Sequence, residues 1–312
     1  MITISDGKSM NQNIIDGICQ IVGKENLQLE EMLKSHTTFQ IGGPAECFVT
    51  PHTVEELTQL VKLCKEKGIP YFVLGNGSNL LVSDMGMDGI VIQLYRNFSE
   101  LTIEDNIVKA QAGAMLAVIG NAARNESLTG FEFASGIPGT LGGAVVMNAG
   151  AYGGEMKDII KSVQLMDGEG NVFELACDEM DFGYRHSIVE EKGYIVLGAV
   201  LELARGEQES ITARMKELSD ARREKQPLEF PSAGSTFKRP EGYFAGKLIM
   251  DANLRGYRVG GAQVSEKHCG FVVNRGGATA TDVLELIRDV EDRVYEMFHV
   301  KLEPEIKLVG KQ

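Results

Sequence analysis

The stretch "SGIPGTLGGAVVMNAGAYGG", residues 135–154, decides how the rest of the chain is read. Glycine stands at 136, 139, 142, 143, 150, 153 and 154, and makes up 36 of the 312 residues overall, above the usual ~7%. Glycine removes the side chain where backbone must approach something closely. Successive exposed backbone N–H groups form a nest for an anion. A second cluster, "GNGSNL" (75–80), lies about sixty residues earlier. Gly-rich turns are common, and either cluster alone is a weak signal. Each of these two lies between apolar, strand-like runs. Together they point to a dinucleotide held between two lobes, its pyrophosphate gripped without a lysine.

Two familiar phosphate motifs are excluded. "GNGSNL" has Leu80 where G-x-G-x-x-G needs its last glycine, and the strand-like "LLV" follows it instead of a helix. "GYFAGKL" (242–248) has too few residues between its glycines for a P-loop, and Leu248 replaces the Ser/Thr that would hold Mg²⁺.

Outward from the glycine clusters the pattern is mixed. Residues 53–68 read as a helix: Thr53 and Glu56 make a capping box, Val54, Leu57, Val61 and Cys64 share a face, and Gly68 stops it. "IPYFVLGNGSNLLV" and "GIVIQL" (89–94) read as strands around a glycine turn. Short strands follow from about 100, then a helix near 115–126. "DGEGN" joins two strand-like runs in 161–175 as a hairpin, and another strand covers 193–203. Helices are expected over 210–225 and 281–299, and a closing strand over "KLEPEIKLV". The class is α+β, with domains at 1–98, 99–206 and 207–312.

Composition narrows the function. Apolar residues are 43% and charged residues 24%, as in a globular protein. No apolar run approaches the ~20 residues of a membrane span. The N-terminal "MITISDGKSMNQN" lacks a signal-peptide pattern, so a cytoplasmic location is expected, with no membrane partner. A net charge of −13 argues against nucleic acid. Five scattered cysteines and five scattered histidines suggest neither a disulfide framework nor a metal site. Residues 222–258 are locally basic, with eight cations against four carboxylates. They are either a solvated surface or a pocket for phosphates or carboxylates. Within them, "PSAGSTFKRP" (231–240) presents Ser235 after a glycine, which by local chemistry alone is loop material.

The motifs "TTFQIGGPAE", "LGNGSNLLV", "GFEFASGIPGTLGGAVVMNAGAYGGE", "YRHSI", "PSAGSTFKRP" and "LEPEI" together resemble the UDP-N-acetylenolpyruvoylglucosamine reductase family, flavoenzymes of peptidoglycan precursor synthesis. The resemblance runs from about residue 37 to the end. It implies a vanillyl-alcohol-oxidase-type (PCMH) fold, with two α/β lobes holding FAD and a C-terminal α+β substrate domain. Gly75, Asn76, Gly77, Ser78, Asn79 and Leu80 would line FAD, with Ser135, Gly136, Ile137, Pro138, Gly139, Thr140, Gly142, Gly143 and Ala144. No histidine lies among these FAD-lining residues for covalent attachment, so FAD would be non-covalent.

The implied reaction has two steps. NADPH reduces FAD, and a hydride then passes to C3 of an enolpyruvyl UDP-sugar while C2 is protonated. Ser235 matches the family's proton donor. Arg185 matches an arginine that can hold the enolate-like carboxylate. Glu305 matches a glutamate expected to hydrogen-bond the enolate while protonated. Sequence alternation alone does not choose between Glu303 and Glu305. Tyr184, Lys225 and Lys238 are substrate-binding candidates.

The chain departs from the family pattern at Arg239, where asparagine is frequent. It also lacks the tyrosine-bearing insertion between 205 and 225, which makes it the shorter subtype. Two other readings stay open at this level. Another flavin oxidase or dehydrogenase of the same fold would keep the glycines without needing Arg185, Ser235 and Glu305. A non-enzymatic nucleotide-binding module would need no redox cofactor.

Overall fold

A computed structural model describes residues 10–311. The stretch read for a signal peptide lies largely outside them. The chain divides into two compact units. The first comprises the chain up to Leu29 with Cys47–Asn76 and Gly89–Ala221; the second comprises Glu30–Glu46, Gly77–Asp88 and the chain from Arg222 onward.

The first unit is built on the expected elements. The helix Val54–Lys67 starts at Thr53, whose hydroxyl accepts from the Glu56 N–H at 3.1 Å, and stops at Gly68 in the left-handed region (φ 65°). Glu56 does not bond back to the Thr53 N–H as a reciprocal box would. It accepts from the His52 N–H, one residue earlier. Tyr71–Leu74 pairs in parallel with residues 90–93, leaving its C-terminal end at the first glycine cluster. A five-stranded antiparallel sheet runs in the order Val172–Ala176, Ile160–Met166, Ile195–Glu202, Ile107–Gln111, Leu101–Glu104. The hairpin expected around "DGEGN" is its edge. One apolar core, including Leu57, Ile92, Leu116, Phe131, Val163 and Leu201, underlies these elements.

In the second unit the helix Ala280–Phe298 places Val283, Ile287, Val290 and Val294 in a core with Phe39, Leu81, Phe237, Leu248 and Ile306. Its N-terminus is closed by a capping box between Thr279 and Asp282. The closing strand is shorter than its alternation suggests. It spans only Lys307–Val309, paired in parallel with Leu80–Val82. Pro304 lacks an N–H. Residues 303–305 are bonded instead to the serine loop, through Lys238 N–H to Glu303 O at 2.8 Å and Glu305 N–H to Thr236 O at 2.8 Å.

Among the described residues no helix is long and apolar enough to cross a membrane, and no cluster of three or more His, Cys, Asp or Glu could hold a metal. Burial pushes the Cys64 thiol up to about 12, which leaves it without the thiolate that reactivity requires.

Candidate active site

The first two residues of the earlier glycine cluster, Gly75 and Asn76, meet the later cluster within the first unit. Asn76 Nδ2 donates to Pro138 O at 2.7 Å, tying this end of the turn to the 135–144 segment. A Cβ on Gly75 would lie 2.4 Å from Thr140 Oγ1, so glycine leaves the room that the Thr140 side chain occupies. Thr140 Oγ1 in turn faces the Gly143 N–H at 3.5 Å and caps the short helix Leu141–Val146. Gly143 is exposed on that helix, and a side chain there would meet nothing nearer than Thr140 Oγ1 at 3.7 Å. The result is a bare patch of backbone flanked by buried Leu141, Gly142 and Ala144.

The turn itself suits an anion. Among the described residues, the N–H groups of Asn76, Gly77, Ser78 and Asn79 have no acceptor within the chain. Such a run of free donors is what a pyrophosphate needs. Gly77 sits at φ 59°, and a Cβ there would fall 2.4 Å from His36 O. The turn therefore depends on glycine for both conformation and space. These residues fit the FAD expected from the sequence, and its isoalloxazine would supply hydride chemistry.

Arg185 is held by the same glycine-rich scaffold. It occupies the turn between Gly183 and His186, which exchange N–H···O bonds at 3.1 and 3.3 Å. Asn148, buried within the glycine block, anchors this turn by donating to Gly183 O at 3.0 Å. Ser187 Oγ adds a second anchor, donating to Val146 O at 2.7 Å. Arg185 has φ 55°, a conformation uncommon for a non-glycine residue and a pointer to function. Its guanidinium lies 5.2 Å from the ring centroid of Tyr184, which is exposed. The neighbouring Glu155 carboxyl is held below the usual carboxylate range, first by its hydrogen bond with Lys157, then by that from Asn148, with the Arg185 charge adding.

Ser235 and Glu305 belong to the second unit and are brought together there. Ser235 is exposed at the tip of its loop. Thr236, beside it, accepts the Glu305 N–H on its carbonyl. Glu305 is half-buried, and its own carbonyl accepts from Asn79 Nδ2 at 3.2 Å. Asn79 O also accepts the Lys307 N–H at 2.9 Å. The last residues of the glycine turn and the glutamate segment are thus bonded directly. Glu303 points elsewhere, exposed and paired with Lys238 at 3.4 Å. The structure thereby separates two glutamates that alternation left equivalent.

Lys225 and Lys238 are the remaining candidates of this unit. Lys225 is exposed at the end of the helix Gln208–Lys225. The local basic excess is partly neutralised, since Lys247 pairs with Asp251 at 2.5 Å as Lys238 does with Glu303. Arg239 stacks on Phe244, 4.1 Å from the ring centroid.

Two residues escaped the sequence reading, Thr236 and Asn148. Both are buried polar side chains. Asn148 did carry a signal, a polar residue tolerant of the left-handed region inside a glycine-rich apolar run, and its φ is 43°.

The geometry agrees with what the chain resembles. Residues 45–176 match a model described as an FAD binding domain, and residues 226–309 one described as the C-terminal domain of UDP-N-acetylenolpyruvoylglucosamine reductase. The reductase of that name from Clostridioides difficile (strain 630) is 55% identical over 96% of this chain and 99% of its own. The solved reductase (MurB) from Thermus caldophilus shares 40% identity with a TM-score of 0.78, covering 90% of this chain and 99% of that one. An alkyldihydroxyacetonephosphate synthase structure is similar in fold alone, at 15% identity and a TM-score of 0.50 over 65% of this chain and 42% of its own. The fold is the two-lobed FAD-binding type expected from the sequence. With both halves matched and a relative this similar along nearly its whole length, the chain belongs to the UDP-N-acetylenolpyruvoylglucosamine reductase (MurB) family.

Proposed function

We propose that this chain catalyses the NADPH-dependent reduction of UDP-N-acetylglucosamine enolpyruvate to UDP-N-acetylmuramate, a step of peptidoglycan precursor synthesis. The observation that carries the residue roles is the pairing of the Ser235 loop with the Glu305 segment through Thr236. Residues 75–80 and 135–144 would hold FAD non-covalently, and bound there it would supply the hydride chemistry that links NADPH to the vinyl C3 of the substrate.

The chain's own residues manage charge and proton. Hydride addition at C3 leaves carbanion character at C2, delocalised into the carboxylate. Arg185 binds that carboxylate as a guanidinium fork. The Glu305 carboxyl donates a hydrogen bond to the developing enolate. Ser235 Oγ gives its proton to C2. A serine hydroxyl is a weak acid, but the carbanion-like acceptor is a strong base and drives the transfer. Tyr184, Lys225 and Lys238 contact the UDP-sugar, and Arg239 on its Phe244 platform stands where relatives often carry asparagine. The cytoplasmic location expected from the sequence belongs to the same proposal.

Stopped-flow absorbance tests it. NADPH should bleach the flavin, and the enolpyruvyl substrate should then restore its colour. Reduced flavin that the substrate fails to reoxidise would overturn the assignment in favour of another flavin dehydrogenase.

A further inference from the structure

We propose that Thr236 is a positioning residue that fixes the Ser235 hydroxyl against the Glu305 carboxyl, an inference that rests on the roles proposed above for those two residues. Ser235 is exposed, so its own side chain is not held by packing. On its N-terminal side stands Gly234, at φ 79°, where a Cβ would find no atom within 4 Å. On that side the anchors begin only beyond the glycine, at buried Ala233 and at Ser232 O, which accepts from Thr38 Oγ1 at 2.7 Å. On the C-terminal side the very next residue is the anchor.

Thr236 is 2% exposed and makes three hydrogen bonds to two separate stretches of chain, residues 270–272 and Glu305. Its N–H donates to Gly270 O at 2.8 Å, and its carbonyl accepts from the Glu305 N–H at 2.8 Å. Its Oγ1 accepts from the Val272 N–H at 2.9 Å. The next residue, Phe237, is buried and bridges to Pro304. The backbone leaving Ser235 is therefore fixed in the residue that also receives Glu305. The only element of this arrangement that belongs to a side chain is Oγ1. Without it the buried Val272 N–H lacks its acceptor, and the 270–272 segment loses its second tie to the loop. A buried donor left unpaired is costly enough to be relieved by movement of the backbone. A small displacement of Ser235 relative to Glu305 changes the rate of proton delivery far more than the affinity for substrate.

The test is Thr236→Val, which keeps the shape and both backbone bonds. Reoxidation of reduced flavin by the enolpyruvyl substrate should slow roughly 10- to 100-fold. Flavin reduction by NADPH and the KM for the enolpyruvyl substrate should be unchanged, and Thr236→Ser, which keeps Oγ1, should restore the rate. If Thr236→Val yields no flavin-loaded protein, Thr236→Cys is read instead, because sulfur fills the space but accepts poorly.

A double-mutant cycle with Ser235→Ala separates the two levels of the argument. Acting through Ser235, the valine change should add no further slowing in the Ser235→Ala background. A slow Ser235→Ala enzyme that slows again by the full factor with valine would overturn the positioning role and leave the serine as donor. A Ser235→Ala enzyme with normal reoxidation would overturn the donor reading itself. A Thr236→Val enzyme slowed equally in both half-reactions would show general damage and also sink the proposal.

Discussion

The glycine turns and the Ser235–Glu305 pair solve opposite problems. The turns at 75–80 and 135–144 contain no titratable side chain and offer bare backbone. Their specificity lies in what has been removed, so that Gly75 can pass Thr140 and Gly77 can pass His36. The pair proposed for the chemistry consists of side chains on segments with little regular structure, joined through a buried threonine. A backbone nest suits a cofactor that stays put and whose phosphates need donors. A proton donor must be a side chain with a defined aim, and aim comes from the residues around it. The two regions should therefore fail differently.

The largest effect is expected from Ser235→Ala. General acids contribute about 10²–10⁴-fold, or about 3–5 kcal/mol. Reoxidation of the flavin by substrate should fall by that much while reduction by NADPH survives, both followed by stopped-flow absorbance. Equal slowing of both half-reactions would erase the distinction between the regions. Glu305→Gln should impair the same half-reaction and spare the other. Near-normal turnover would remove Glu305 from the chemistry.

Gly77→Ala attacks the other region. A left-handed alanine costs about 1–2 kcal/mol, and its Cβ would also meet His36 O at 2.4 Å. The purified variant should carry less flavin per chain by absorbance and melt at lower temperature. A variant with full flavin content would show that the turn is not the cofactor cradle. Asn76→Ala is milder. It deletes the 2.7 Å bond to Pro138 O and should cost about 0.5–1.5 kcal/mol, seen as weaker FAD retention on dilution. If its substrate-driven reoxidation slowed while its FAD affinity held, the division of labour argued here would be wrong.

The same contrast explains what the sequence made legible. Glycine clusters announce themselves because composition alone marks them, and the helices Val54–Lys67 and Ala280–Phe298 follow from apolar spacing and caps. Ser235 and Glu305 carry no such local mark. They were reached through the resemblance, and bonding between residues some seventy positions apart then joined them. Of the strand expected over 301–309 only Lys307–Val309 forms, because alternation is also kept by an extended segment whose hydrogen bonds go to a loop. Thr236 was invisible for a related reason. Its importance comes from three partners, at 270, 272 and 305, none of them near it in sequence.

The smallest prediction concerns pH, and only the second region should feel it. The Gly270 N–H donates to His268 Nδ1 at 3.1 Å, and Gly270 O receives the Thr236 N–H. An N–H can only donate, so Nδ1 must be unprotonated and the ring neutral. Burial holds this imidazole below its ordinary value of 6.5. The unfolded chain therefore takes up a proton at higher pH than the folded one. Stability should be full above about pH 6.5 and decline as pH falls through the folded value. Urea midpoints measured from pH 7.5 downward should show this slope in the wild type. His268→Asn, whose amide oxygen can accept in place of Nδ1, should flatten it. Reoxidation by substrate should weaken over the same window, as the support beneath Thr236 loosens, while FAD retention stays level. A parallel loss of FAD over that window would mean that loosening beneath Thr236 passes through the Asn79–Glu305 bond into the glycine turn, and the two regions would not then fail differently.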